Sequence, residues 1–110
     1  MLRDHVPIMF GSDTPGVDGF GNPPGLNGRL ELQNWADVGV PLHVILRAAT
    51  LDNAATLGLA CELGSIEVGK RADLLLLKHN PLESISAYDS IETIFLNGEP
   101  VAREALRAAD

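Results

Sequence analysis

Val6-Pro7-Ile8-Met9-Phe10, running directly into Gly11-Ser12-Asp13-Thr14-Pro15, is the stretch from which the architecture can be argued. An apolar run without alternation, closed by turn formers, suits a strand buried on both faces, as in a parallel sheet. Pro7 fits at the first residue of such a strand or where no ladder donor is needed. Beyond it, six Gly and three Pro fill half of the eighteen positions from Gly11 to Gly28. A loop that long inside a compact domain is usually functional or disordered.

Outward from this loop the pattern becomes helical. Leu30, Leu32, Trp35 and Val38 predict a short, partly buried helix from about Arg29, stopped by Gly39 as its C′ residue. Pro41 suits the first position of a second helix, in which Leu42, Ile45, Leu46, Ala48 and Ala49 line one face. Thr50 reads as the N-cap of a third helix, Leu51 to Leu57, with Gly58 as its stop. Asn53 stands where a capping box would need Glu or Gln, so that box is incomplete.

The rear of the chain differs in kind. Gly64 to Arg71 alternates and turns, and Ala72-Asp73-Leu74-Leu75-Leu76-Leu77 reads as a fully buried strand. Asn80-Pro81 is a turn, and Ile91 to Leu96 is rich in β-formers. Asn97-Gly98 is the strongest hairpin signal present and pairs that run with Pro100-Val101-Ala102. Residues 103 to 110 suit a terminal helix.

Composition narrows the function classes. The 110 residues are 45% hydrophobic and 21% charged, which is ordinary for a globular chain. Eight Lys plus Arg against fifteen Asp plus Glu give a net charge of −7, no footprint for nucleic acid and little attraction to anionic lipid. No apolar run reaches the roughly 18 residues of a membrane span. Met1-Leu2-Arg3-Asp4-His5 turns polar too early for a secretory signal, so a cytoplasmic location is expected. Cys61 is alone, which excludes a disulfide framework and a cysteine-built zinc site within one chain.

Asp13 is the sharpest chemical candidate. The carboxyl end of a parallel strand is where α/β folds place active sites, and a carboxylate there can bind a cation or exchange a proton with metal-bound water. The competing reading is that Asp13 caps the Thr14-Pro15 turn. Gly19-Phe20-Gly21 is a poor dinucleotide fingerprint because Pro24 replaces the third glycine. His5, His43 and His79 form neither an H-x-H nor an i, i+4 pair and read as solvated or partly packed. Cys61 reads as a small buried hydrophobe, Lys70-Arg71 as a solvated turn, and Asp73 as a carboxylate accepting turn N–H bonds.

Together these segments resemble the C-terminal quarter of a metal-dependent amidohydrolase of the imidazolonepropionase-like branch. Pro7 to Thr14 resembles the last barrel strand with its catalytic aspartate, and Leu30-Glu31-Leu32 through Gly39-Val40 the helix after it. Ala48-Ala49-Thr50, Asn53-Ala54-Ala55 and Leu57-Gly58-Leu59 resemble the final barrel helix region. Leu63 to Leu74 is similar to the tract entering a small β-sandwich, and Asn80-Pro81-Leu82 with Ile91 to Val101 to its closing hairpin. The Gly64 to Leu74 tract is the specific part of the match.

The resemblance implies an α/β chain: the end of a (β/α)₈ TIM barrel over residues 1–59, then part of a small β-sandwich with a terminal helix over 60–110. It implies hydrolysis of carbon–nitrogen bonds other than linear peptide bonds, in amides or cyclic amides, with a divalent metal, commonly zinc, in the complete barrel. Asp13 would contact the metal and act as general base, and the loop carrying Phe20 and Asn22 would border a small-molecule substrate. The family's H-x-H, its bridging Lys or Glu and its two later histidines have no counterpart here. A full barrel takes roughly 250 residues. The isolated chain is therefore expected to be inactive and to bind no metal tightly. Two alternatives stand beside this: an interaction module that completes a split barrel from another chain or forms a homo-oligomer, and a self-contained non-catalytic α+β domain with Asp13 as a turn residue.

Overall fold

The computed structural model describes residues 7–14, 25–102 and 106. The expected terminal helix over 103–110 lies outside these, apart from Leu106. Three helical segments come first. Helix α1 spans Leu26–Asp37, starting three residues earlier than its apolar spacing predicts, and α2 spans Leu42–Arg47. A π-helical turn, Ala48–Asp52, leads without a break into α3, Asn53–Thr56. The remainder is an antiparallel sheet of β1 (Leu74–Leu77), β2 (Ile91–Leu96) and β3 (Glu99–Val101), ordered β1-β2-β3, with a 3₁₀ turn at Ile85–Asp89.

Both helix stops follow local chemistry. Gly39, at φ 88°, donates to Ala36 O at 3.0 Å while Val40 N–H reaches Trp35 O at 2.9 Å. Gly58, at φ 74°, repeats the arrangement toward Ala55 O and Ala54 O. These are Schellman caps, which satisfy carbonyls that a helix end leaves unpaired. Pro41 sits one residue before its expected place: it is the extended N-cap residue of α2 (φ −59°, ψ 140°), and Leu42 opens the helix.

Thr50 is not an N-cap. Its hydroxyl donates back to Leu46 O at 2.7 Å, the back-bonding a mid-helix Thr can make, so α2 runs on through the π turn where a separate third helix was expected. That turn changes which side chains face inward. Ile45 and Asn53 would lie about 80° apart on a regular helix at roughly 100° per residue, and one extra residue in the turn brings them within about 20°.

The core is small. Among the described residues Ile45, Ala48, Ala54 and Ala87 are its buried apolar members. Ile45 and Ala48 belong to the face predicted for α2, and Ala87 comes from the 3₁₀ turn, against which α1 packs. Arg29 of α1 holds that turn by a two-pronged ion pair with Asp89 (Nε–Oδ1 2.7 Å, Nη2–Oδ2 2.8 Å), which keeps the Asp89 carboxyl below its usual range. In α1, Leu32 and Trp35 are partly buried, whereas Leu30, and Val38 just past the helix end, face solvent.

Two expected strands differ from their sequence reading. Residues 7–10 form no ladder with any described residue, and Val6 lies outside the described set. A strand exists only by pairing, and the three strands among the described residues pair antiparallel in the order β1-β2-β3, so none of them is a parallel neighbour for this run. The four leucines of β1 are not fully buried: Leu75 and Leu76, on opposite faces, are 53% and 50% exposed. Cys61, expected inside, is exposed.

The hairpin behaves as read. Asn97 and Gly98 have φ of 52° and 83°, the paired positive values of a type I′ turn, and Ile94 to Leu96 pairs with Glu99 to Val101. Asp73 accepts the Asn97 N–H at 2.8 Å and pairs with Arg71 Nε at 2.7 Å. Lys70 departs from its solvated reading: its side chain is largely covered, donating to Ser65 Oγ at 2.5 Å and pairing with Glu67 at 3.0 Å.

The Asn97 N–H, and after it Arg71, hold the Asp73 carboxyl below its usual range. A depressed folded-state pKa contributes stability that is present above the unfolded value of about 3.9 and is lost as pH falls through the folded value. Asp73→Asn should therefore lower the melting temperature at pH 7, and the gap between variant and parent should close in acid. A gap of equal size at pH 7 and pH 2 would show that the charge contributes nothing.

Candidate active site

The segment from Phe10 to Thr14 has no strand partner among the described residues, and side chains stand in for one. The Asn53 amide of α3 binds Phe10 twice: the Phe10 N–H donates to Oδ1 and Nδ2 donates to the Phe10 carbonyl, each at 2.9 Å. That is the donor–acceptor pattern a neighbouring strand would offer. The Phe10 ring meets Trp35 of α1 edge-on, centroids 5.5 Å apart, while Trp35 Nε1 donates to Glu31 Oε1 at 2.8 Å. Such pairs add about 0.5–1.5 kcal/mol beyond the area they bury.

Two residues on, the chain is gripped again. Asn27 Nδ2, from the first turn of α1, donates to Ser12 O at 3.1 Å and Thr14 Oγ1 at 2.9 Å, and the Ser12 and Thr14 hydroxyls share a hydrogen bond at 2.8 Å. Asp13 lies between these anchors at φ 46°. Asp and Asn are the non-glycine residues that most readily take this left-handed conformation. The effect is to expose the Asp13 side chain, and no described residue forms a hydrogen bond or ion pair with it. The alternative, a cap on the Thr14-Pro15 turn, involves residues from Pro15 onward and lies outside the described set.

Phe20, Asn22 and His5 also lie outside it. His43 and His79 are exposed and far apart in the fold's order, one on α2 and one after β1. Among the described residues no group of three His, Cys, Asp or Glu side chains is placed to hold a metal ion. Asp13 offers one carboxylate where a zinc ion takes about four donors, so these residues do not build a metal centre by themselves. Asn27 and Asn53 were not legible as site residues; Asn53 stood out as a misfit in a capping box and as part of the Asn53-Ala54-Ala55 resemblance to a barrel helix, and Asn27 carried no signal beyond its place in the long loop.

The description of the amidohydrolase family matches residues 1–101. A 5-methylthioadenosine/S-adenosylhomocysteine deaminase of Thermoanaerobacter pseudethanolicus is 33% identical over 90% of this chain and 27% of its own. An imidazolonepropionase of Parabacteroides distasonis is 40% identical over 47% of this chain and 13% of its own. Among solved structures, phenylurea hydrolase B superposes with a TM-score of 0.65 at 37% identity, covering 74% of this chain and 18% of that one. The chain thus spans between an eighth and just over a quarter of the length of these relatives. A match that begins at residue 1 and carries through the hairpin to residue 101 leaves one assignment: the chain belongs to the amidohydrolase family.

Proposed function

We propose that this chain is the C-terminal part of a cytoplasmic, divalent-metal-dependent hydrolase of carbon–nitrogen bonds other than linear peptide bonds, acting on a small amide or cyclic amide. Residues 1–59 would supply the last barrel strand, its active-site loop with Phe20 and Asn22, and the helices behind; residues 60–110 would belong to a small β-sandwich. The observation that carries the reading is Asp13, clamped on both sides and presented with its carboxylate unpaired by any described residue. The names of the relatives, a deaminase and two hydrolases of nitrogen-bearing substrates, support the bond class.

In this proposal Asp13 is the proton carrier. Water oxygen attacks the carbon, Asp13 accepts the water proton, and the carboxylic acid returns it to nitrogen as the carbon–nitrogen bond breaks. The family's divalent ion would supply Lewis acidity, with Asp13 as one of its ligands; the other donors are not among the described residues. Val68 and Ile66 are 108% and 86% exposed, and β1 shows leucines on both faces of a sheet edge. Surfaces of that kind support completion of the site by further polypeptide. They equally favour a second reading, a non-catalytic module that binds another chain or its own copy. No described helix is long and apolar enough to cross a membrane.

The test begins with the 110-residue chain. It should release no amine or ammonia from amide and cyclic amide substrates with zinc supplied, and should bind zinc more weakly than about 1 μM. Its native mass in the source should exceed 11.7 kDa, through a longer polypeptide or a partner. Turnover by the isolated chain would overturn the incompleteness, and a lone monomer in the source would sink the catalytic reading.

A further inference from the structure

We infer that Asn53 and Asn27 are positioning residues for Asp13, together replacing the strand neighbours that would otherwise fix the backbone on which its carboxylate is mounted. The inference rests on the reading of Asp13 as the catalytic carboxylate and goes beyond it by naming what aims that group. Phe10 and Asn53 are 43 residues apart, yet the amide satisfies both backbone groups of Phe10. Asn27 then bridges Ser12 and Thr14, the residues on either side of Asp13.

Neither contact touches Asp13 itself. Only Gly11 separates the Phe10 anchor from the Ser12 carbonyl that Asn27 holds, and Asp13 makes its turn to φ 46° inside the Ser12–Thr14 span that Asn27 bridges. Aspartate takes the left-handed region more readily than the roughly 1–2 kcal/mol of an ordinary L-residue would allow, but it takes the right-handed and extended regions as well, so restraint from outside the residue is what selects φ 46°. The two asparagines provide that restraint from two different helices, α1 and α3. The π turn contributes as well, because it rotates Asn53 to the inward face that carries Ile45. An asparagine suits the task at position 53 because donor and acceptor lie side by side, the spacing at which a peptide N–H and C=O present themselves. Aspartate at 53 would keep the acceptor and lose the donor.

The test uses three variants, Asn53→Ala, Asn53→Asp and Asn27→Ala, read in two ways. In the 110-residue chain, amide hydrogen exchange at Phe10 should accelerate at least about 10-fold in Asn53→Ala while Leu46 in α2 keeps its protection. In each variant the coupling constant that reports φ should show Asp13 leaving the left-handed region for part of the time. In the complete enzyme, kcat should fall about 10- to 100-fold with KM nearly unchanged, as expected when a reacting group is displaced by ångströms and substrate contacts are kept. Asn53→Asp should fall between parent and Asn53→Ala, a partial rescue that general destabilisation would not give. If Asn53→Ala fails to fold, the other two carry the measurement. Unchanged Phe10 exchange and an unchanged Asp13 φ would overturn the inference. So would a kcat preserved in all three variants while an Asp13 variant is inactive. An Asp13→Asn enzyme with full turnover would instead overturn the catalytic reading on which the inference rests.

Discussion

Asp13→Asn in the complete enzyme should lower turnover by about 10²- to 10⁴-fold, the range a positioned general base contributes. Asparagine is the informative replacement. It matches aspartate in shape and tolerates φ 46° as aspartate does, so the backbone between the Asn53 and Asn27 anchors should hold. What is removed is the negative charge, and with it both the ability to take up and return a proton and the anionic donor that the proposal offers to the metal. Asp13→Ala would mix this with strain, since alanine in a left-handed conformation costs roughly 1–2 kcal/mol. The accompanying measurement is the thermal transition of the 110-residue chain, which should move by no more than a degree or so, because the exposed carboxylate has no bond among the described residues to lose. Turnover within about twofold of the parent, at unchanged stability, would return Asp13 to the role of a turn residue.

Gly64→Ala should be the most damaging small substitution for stability. Gly64 has φ 92°, where a Cβ is strained whatever the space. There is no space either: a Cβ built there would lie 2.7 Å from Ala54 Cβ, 3.0 Å from Leu51 Cα and 3.1 Å from Thr50 O. Two of these are backbone atoms of the helix running through the π turn and cannot swing aside, and the third belongs to one of the buried residues. Adding roughly 1–2 kcal/mol of conformational strain to about 1–3 kcal/mol of overpacking gives about 2–5 kcal/mol. Small domains have only about 5–15 kcal/mol in all, and with so few buried residues among those described this chain belongs at the lower end. Urea titration should show the midpoint falling sharply or no folded baseline at all. Gly58→Ala is the control: φ is 74° but nothing lies within 4 Å, so only the strain should appear. Equal losses for the two variants would mean that the approach of Gly64 to the helix carries no energetic weight.

What the sequence by itself determined is what a few neighbouring residues settle among themselves. Gly39 and Gly58 end helices because a positive φ there lets two N–H groups reach back to carbonyls of the same turn. Asn97-Gly98 makes its hairpin because both residues accept left-handed geometry, and Asp73 meets the Asn97 N–H at the strand end, as its place before four leucines suggested. The family, too, was legible, because its specific tract is one continuous run from Gly64 to Leu74.

Tertiary structure decided the rest. Val6 to Phe10 has the composition of a buried strand, but a ladder needs a partner, and no described strand runs beside it. Leu75 and Leu76 carry a buried strand's chemistry onto open faces for the same reason: burial belongs to what packs against a residue, not to the residue. Thr50 had a cap's identity and became a back-bonded link in a continuing helix, because α2 was already running beneath it. The hold on Asp13 shows the limit most clearly. Asn27 lies 13 to 15 positions from the groups it binds and Asn53 lies 43 from Phe10, with no periodicity linking either pair. Hydrogen bonds between a side chain and a distant backbone exist only once helices have docked, and docking is set by packing across the whole chain rather than by any local pattern.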